Sequence, residues 1–153
     1  MAVGRLKERY WQDAAAEYCK RLHSYIGLRI LEVADHSAAI SSVDEALAKE
    51  ATGIEDCLLR QQVARPLILL DIKGVPTSSE TLALRLKNQQ MSGQPQLAFI
   101  IGGSSGVDAR IMTLADERMS FGPLTLPHNL ARIVLLEQLY RACRINRGEP
   151  YHK

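Results

Sequence analysis

Apolar residues recur every four positions at Tyr10, Ala14, Tyr18 and Leu22, which predicts an amphipathic helix from about Leu6 to Leu22. "LRILEV", Leu28 to Val33, is rich in branched residues and predicts a strand. Ser42 and Glu45 have capping-box spacing and open a second helix that extends to about Val63. "PLILLDI", Pro66 to Ile72, is an almost unbroken apolar run ahead of Gly74, the pattern of a strand covered on both faces. Thr77 and Glu80 repeat the capping spacing, and the helix they open is expected to stop at Gly93. "LAFII", Leu97 to Ile101, is a second fully apolar strand and runs straight into "GGSSG". A short helix from Val107 to Ala115, a brief "MSF" strand and a long helix from Asn129 to about Ile145 complete the reading.

Strands that alternate with helices, the central ones apolar throughout, define an α/β fold: a mostly parallel sheet with helices on both faces. No linker, repeat or low-complexity segment divides the chain, so residues 1–153 are expected to form one domain. In such sheets ligands bind beyond the carboxyl ends of the strands. Three segments leave those ends here: "DIKG", "GGSSG" and "FGPLTLPH".

Composition narrows the class. With 46% hydrophobic and 24% charged residues the chain is an ordinary globular one, and its net charge of +2 is too small to declare a polyanion partner by itself. Cys19, Cys57 and Cys143 are widely spaced and form no C-x-x-C pair, which argues against a disulfide framework or a zinc site. No stretch approaches the roughly 20 apolar residues of a membrane span, and the start has no signal-peptide run. A soluble, cytoplasmic protein without metal or membrane partner is expected.

The three loops carry the candidate chemistry. "GGSSG", Gly102 to Gly106, follows a strand and precedes a helix, yet it reads G-G-x-x-G and not the dinucleotide fingerprint G-x-G-x-x-G. It is either a tight turn that needs positive φ or a loop that lets a flat ligand approach the backbone. In Phe121 to His128, Gly122, Pro123 and Pro127 restrict the backbone while Leu124 and Leu126 flank Thr125. Backbone polar groups set against apolar side chains suit a purine, and a buried crossover that merely packs would look the same.

The last helix is apolar on more than one face, so it is either deeply buried or packed against a second subunit. From His128 to Lys153, five basic residues (Arg132, Arg141, Arg144, Arg147, Lys153) stand against two acids (Glu137, Glu149). They lie beside Tyr140, Tyr151, His128 and His152, and basic residues interleaved with aromatics are what phosphate contact and base stacking use. Arg132, Arg144, Arg147, Tyr151 and Lys153 are therefore candidate RNA contacts.

"AVGRLKERYW", "LDIKG", "FIIGGSSG", "LTLPHNLARIVLLEQLYRA" and "RGEPYHK" together resemble, in order and spacing, the RlmH family of SPOUT-class methyltransferases. The resemblance covers essentially the whole chain. It implies methylation of N3 of a pseudouridine in bacterial large-subunit (23S) ribosomal RNA, on free RNA or assembled ribosomes. It also implies a C-terminal trefoil knot that binds S-adenosylmethionine, and a homodimer whose site borrows the partner's tail. Carried over, the cofactor contacts fall on Leu70, Gly102, Gly103, Ser120, Phe121, Gly122, Pro123, Leu124, Thr125 and Leu126, the same three loops. His128 and His152 are expected near the target base, and Arg141 on phosphate or developing charge. Family members carry more strand residues ahead of the segment that here reads Met1-Ala2-Val3, so a short first strand is expected. Two other readings compete: a non-catalytic RNA-binding module of ribosome assembly, and a nicotinamide-dinucleotide enzyme using "GGSSG".

Overall fold

The computed structural model describes residues 1–37 and 42–150. Its elements alternate along the chain as β1 (Ala2–Val3), α1 (Arg9–Leu22), β2 (Glu32–Val33), α2 (Val43–Arg60), β3 (Leu67–Pro76), α3 (Ser79–Met91), β4 (Ala98–Ile101), α4 (Ala109–Leu114), β5 (Glu117–Ser120) and α5 (His128–Asn146). The strands form one sheet in the order β2-β1-β4-β3-β5, and every pairing is parallel.

Successive strand side chains point to opposite faces, and here both faces are dry. Ile68, Phe99, Ile101 and Met119 join α1, α3 and α5 in one core through Leu22, Leu82, Leu86, Leu135 and Leu139. Leu67, Leu69 and Ile100 join α2 and α4 in the other through Ala51, Ile54 and Ile111. The apolar runs of β3 and β4 are thus explained by burial of Leu67 to Leu69 and Phe99 to Ile101, flanked by half-buried Leu70 and Ala98.

Several boundaries differ from the sequence reading. Only Glu32–Val33 of the "LRILEV" segment pairs, because β1 beside it has only two residues. Residues 26–31 instead flank a cavity of about 460 Å³ lined by Leu28, Ile30, Leu86, Phe99 and Leu139. Much of its lining precedes the strands, at Ile26 to Leu31, Val63, Ala64 and Pro95 to Leu97. The α3 cap is Ser78, whose hydroxyl accepts from Thr81 N at 3.1 Å. Thr77 serves the sheet edge, donating through its N–H to Ser120 O and through its hydroxyl to Val75 O, both at 3.1 Å. Strand β3 runs on to Pro76, and β5 begins two residues earlier than expected.

Candidate cofactor and active site

The strand register sets the site. Leu70 pairs with Ile101 on one side and with Met119 on the other, so the chain leaves three adjacent strands at one level. After Leu70 the β3–β5 ladder is interrupted, and it resumes at Val75↔Met119. Asp71 to Gly74 bulge out in between. Asp71 holds this bulge by accepting from Lys73 N at 3.0 Å and from Arg118 Nη1 at 3.2 Å.

Beyond β5, the buried Ser120 hydroxyl accepts from Gly122 N and donates to Gly122 O, both at 3.0 Å, closing the first turn. Gly122 has φ +110° with nothing within 4 Å of where a side chain would stand, so only glycine takes this turn without strain. Phe121 packs into the core, whereas Leu124 is 76% exposed. Among the described residues, the backbone N–H groups of Leu124, Thr125 and Leu126 have no hydrogen-bond partner. A cavity of about 420 Å³ borders this loop at Phe121, Met119, Ser79 and Gln138. Just past it, Asn129 Oδ1 is buried and unpartnered among the described residues.

Gly102 sits in a tight turn, where an added Cβ would lie 2.6 Å from Gly106 O. Gly103 faces inward: its Cβ would stand 3.1 Å from Glu50 Oε2. The glycine pair therefore serves the turn and a buried carboxyl, which supplies a physical reason the dinucleotide comparison lacked. Glu50 is only 4% exposed and accepts from His36 N at 3.0 Å. Burial pushes its carboxyl above the usual carboxylate range. Asp35 next to it accepts from Ser37 Oγ and N, at 2.6 and 2.8 Å, and these bonds hold its carboxyl low. His128, the first residue of α5, lies near enough to add to that depression.

Sequence reasoning missed Glu50, since a glutamate in an amphipathic helix reads as solvated. A signal was present: Ala46, Glu50 and Ile54 recur every four residues along α2, and all three are buried.

The cations are distributed differently from expectation. Arg132 is 6% exposed, and its guanidinium donates to Gly4 O at 3.1 Å and to Glu32 Oε1 at 2.6 Å. An RNA-contact role for Arg132 is corrected on that ground, because the guanidinium is buried and bonded inside the protein. Arg141 is partly buried and engages Glu137 through Nε at 3.0 Å and Nη2 at 2.7 Å. Arg144 donates to Tyr140 Oη at 2.9 Å and pairs with Glu149. Arg147 remains exposed at the helix end. Tyr151, His152 and Lys153 lie outside the described residues. Among the described residues, no group of three His, Cys, Asp or Glu could hold a metal ion, and no helix is long and apolar enough to cross a membrane.

A parallel sheet with glycine and proline-stiffened loops converging at its carboxyl end has a matching family. The model described as "Predicted SPOUT methyltransferase" covers residues 1–152, and the chain belongs to this family. Among curated proteins it is 41% identical over 155 residues to the ribosomal RNA large subunit methyltransferase H of Acetivibrio thermocellus. It is 43% identical to the proteins of that name from Bacillus cereus, over 155 residues, and Carboxydothermus hydrogenoformans, over 157 residues. Each match spans 100% of this chain and 97% of the relative. S-adenosylmethionine is the methyl donor of this enzyme class.

Proposed function

We propose that the protein transfers a methyl group from S-adenosylmethionine to N3 of a pseudouridine in large-subunit ribosomal RNA. The observation that carries this reading is the common level of Leu70, Ile101 and Met119, from which three loops rise side by side. Full-length identity to three relatives named for ribosomal RNA methylation supports the substrate class.

The loops fit the donor. Unpartnered amides at Leu124 to Leu126 offer hydrogen bonds to the edge of an adenine, and exposed Leu124 and Ile72 offer apolar contact to its faces. Ser120 and Gly122 hold the loop in the shape that presents them. When bound, the donor supplies an electrophilic methyl on a sulfonium, which needs no metal ion. Seven residues, 121–127, carry the chain from edge strand β5 to α5, whose Arg132 reaches Gly4 next to β1. That crossing past β3 is where a threaded loop would lie, which supports the knot as part of the reading.

The protein's own residues then orient the base and manage the N3 proton. His128 stands near Asp35, and the reading assigns it to orient the base or take the N3 proton. Arg141 reaches a phosphate or a developing charge by exchanging Glu137 for it. The reading assigns Arg144 and Arg147 to the RNA backbone and Tyr151, His152 and Lys153 to the target base. Helix α5 is covered within its own chain by α1 and α3, so its apolar breadth does not by itself call for a partner. Exposed Ile72, Val75 and Leu124 at the site end are what supports a homodimer. Calorimetry with S-adenosylmethionine tests the pocket: binding is expected, and its absence would favour a non-catalytic RNA-binding module.

A further inference from the structure

The chain leaves β1 at the same end of the sheet as the three loops. Ala2 pairs with Ile101, so Val3 and Gly4 stand level with Gly102 and Gly103. A Cβ on Gly103 would meet Val3 Cγ1 at 3.2 Å. The segment from Gly4 to Tyr10 is therefore a fourth loop beside the donor site, and donor binding does not account for its side chains.

This loop is fixed at its base and open at its tips. Arg132 donates to Gly4 O at 3.1 Å, and Leu6 is buried in the core. The Gln12 side-chain amide donates to Leu6 O at 2.7 Å and to Lys7 O at 3.3 Å. Around these anchors Arg5, Lys7, Arg9 and Tyr10 are all exposed, three cations against one acid, Glu8. Arg5 reaches Glu32 only at 3.9 Å and Arg9 reaches Asp13 at 3.7 Å, with the two arginine side chains 86% and 92% exposed. Ion pairs so exposed hold their cations weakly. Tyr10 is 63% exposed, its ring centroid propped 5.0 Å from that of Trp11. Ordered cations beside an exposed ring suit a single-stranded nucleic acid, phosphate on the charges and a base on the ring.

Helix α5 does not bring an exposed arginine to His128 within one chain. Arg132, one turn from His128, is buried. Arg141 and Arg144 lie thirteen and sixteen residues along the helix, about 20 and 24 Å at 1.5 Å per residue. We propose that Arg5, Lys7, Arg9 and Tyr10 form an RNA-contact surface, the cations meeting phosphates next to the target nucleotide and Tyr10 stacking on a neighbouring base. This rests on the reading that ribosomal RNA is the substrate. Arg132 then ties the surface to the helix that begins with His128, so the grip on the backbone keeps a fixed distance from the target base.

Three full-chain variants test this. One combines Arg5→Gln, Lys7→Gln and Arg9→Gln; one keeps the charge with Arg5→Lys and Arg9→Lys; a control removes remote exposed cations with Lys49→Gln, Arg60→Gln and Lys87→Gln. Binding of a large-subunit ribosomal RNA fragment is followed against salt at saturating S-adenosylmethionine, with donor affinity and thermal midpoint alongside. The neutral loop variant is expected to lower the slope of log affinity against log salt by about two and to weaken binding about tenfold or more near 0.1 M salt. Donor affinity and midpoint stay unchanged, and the lysine variant and the control keep the native slope. Lys7→Gln alone, expected to lower the slope by just under about one, keeps the test open should the triple variant be unstable. Tyr10→Leu is expected to weaken binding about tenfold with the slope unchanged. A native slope in the neutral loop variant would overturn the surface. A control that loses as much would also overturn it, by making net charge the cause, and so would a lysine variant as weak as the neutral one, by making packing the cause. A native protein that binds the donor but no RNA would remove the substrate reading, and this surface with it.

Discussion

A Cβ at Gly103 would stand 3.1 Å from the buried carboxylate oxygen Oε2 of Glu50. Glu50 cannot swing away cheaply, because it is buried and holds His36 N through its other oxygen. Gly103→Ala is therefore expected to destabilise the fold by about 1–3 kcal/mol through overpacking, and Gly103→Val by more. Urea midpoints check this. An unchanged midpoint would mean that Glu50 does not sit against the loop.

The same carboxyl gives a pH signature. Burial raises the Glu50 pKa above its ordinary value of 4.5, so just above that pH the native state keeps a proton the unfolded chain has lost. Its contribution to stability is full below pH 4.5 and is lost as pH rises through the native value. Asp35 is shifted downward and acts in the opposite sense. Glu50→Gln is expected to gain stability relative to the native protein as pH rises from 4.5 to 8. A difference between the two that stays constant with pH would contradict the assignment.

Arg132 is expected to report on the fold and not on RNA. Arg132→Ala leaves Gly4 O without its donor and Glu32 with its 3.9 Å pair to Arg5, at a cost of about 1–3 kcal/mol. Among exposed cations, Arg147→Ala should instead lower the salt dependence of RNA binding by about one phosphate contact. Thermal unfolding and salt-titrated binding separate the two. A stable Arg132→Ala protein with a reduced salt slope would restore Arg132 to the RNA surface.

These contrasts mark what the chain discloses. The central strands were legible because every position of "LILL" and "AFII" is buried or half-buried, so composition alone marks them. The ends of β1 and β2 were not, since their lengths depend on which neighbour is there to pair with. The loops at Gly102 and at Ser120 to Leu126 were found by following apolar strands to their carboxyl ends. Arg132 misled because a cation in a basic segment reads as solvated, while Glu32, a hundred residues away in sequence, claims it. The hydrogen bond that Tyr25 Oη donates to Glu149 Oε2 at 2.6 Å has the same character, for no local period records a pairing across 124 positions.

The loop after β5 is expected to depend on one hydroxyl. Ser120→Ala removes both bonds to Gly122 and frees the turn that presents Leu124 to Leu126. A loss of about 0.5–1.5 kcal/mol in stability is expected, with a several-fold weaker affinity for S-adenosylmethionine. Calorimetry on the folded variant checks it, and undiminished affinity would take this turn out of the donor site.

The central claim is tested most directly by following the methyl group. Large-subunit ribosomal RNA, free or in ribosomes, is incubated with the protein and methyl-labelled S-adenosylmethionine, then digested to nucleosides and resolved by mass spectrometry. The label is expected on N3 of a single pseudouridine, and to accumulate more slowly with a protein that lacks 151–153. Label on another atom or base would contradict the proposed reaction, and no transfer from a protein that binds both donor and RNA would contradict enzymatic function altogether.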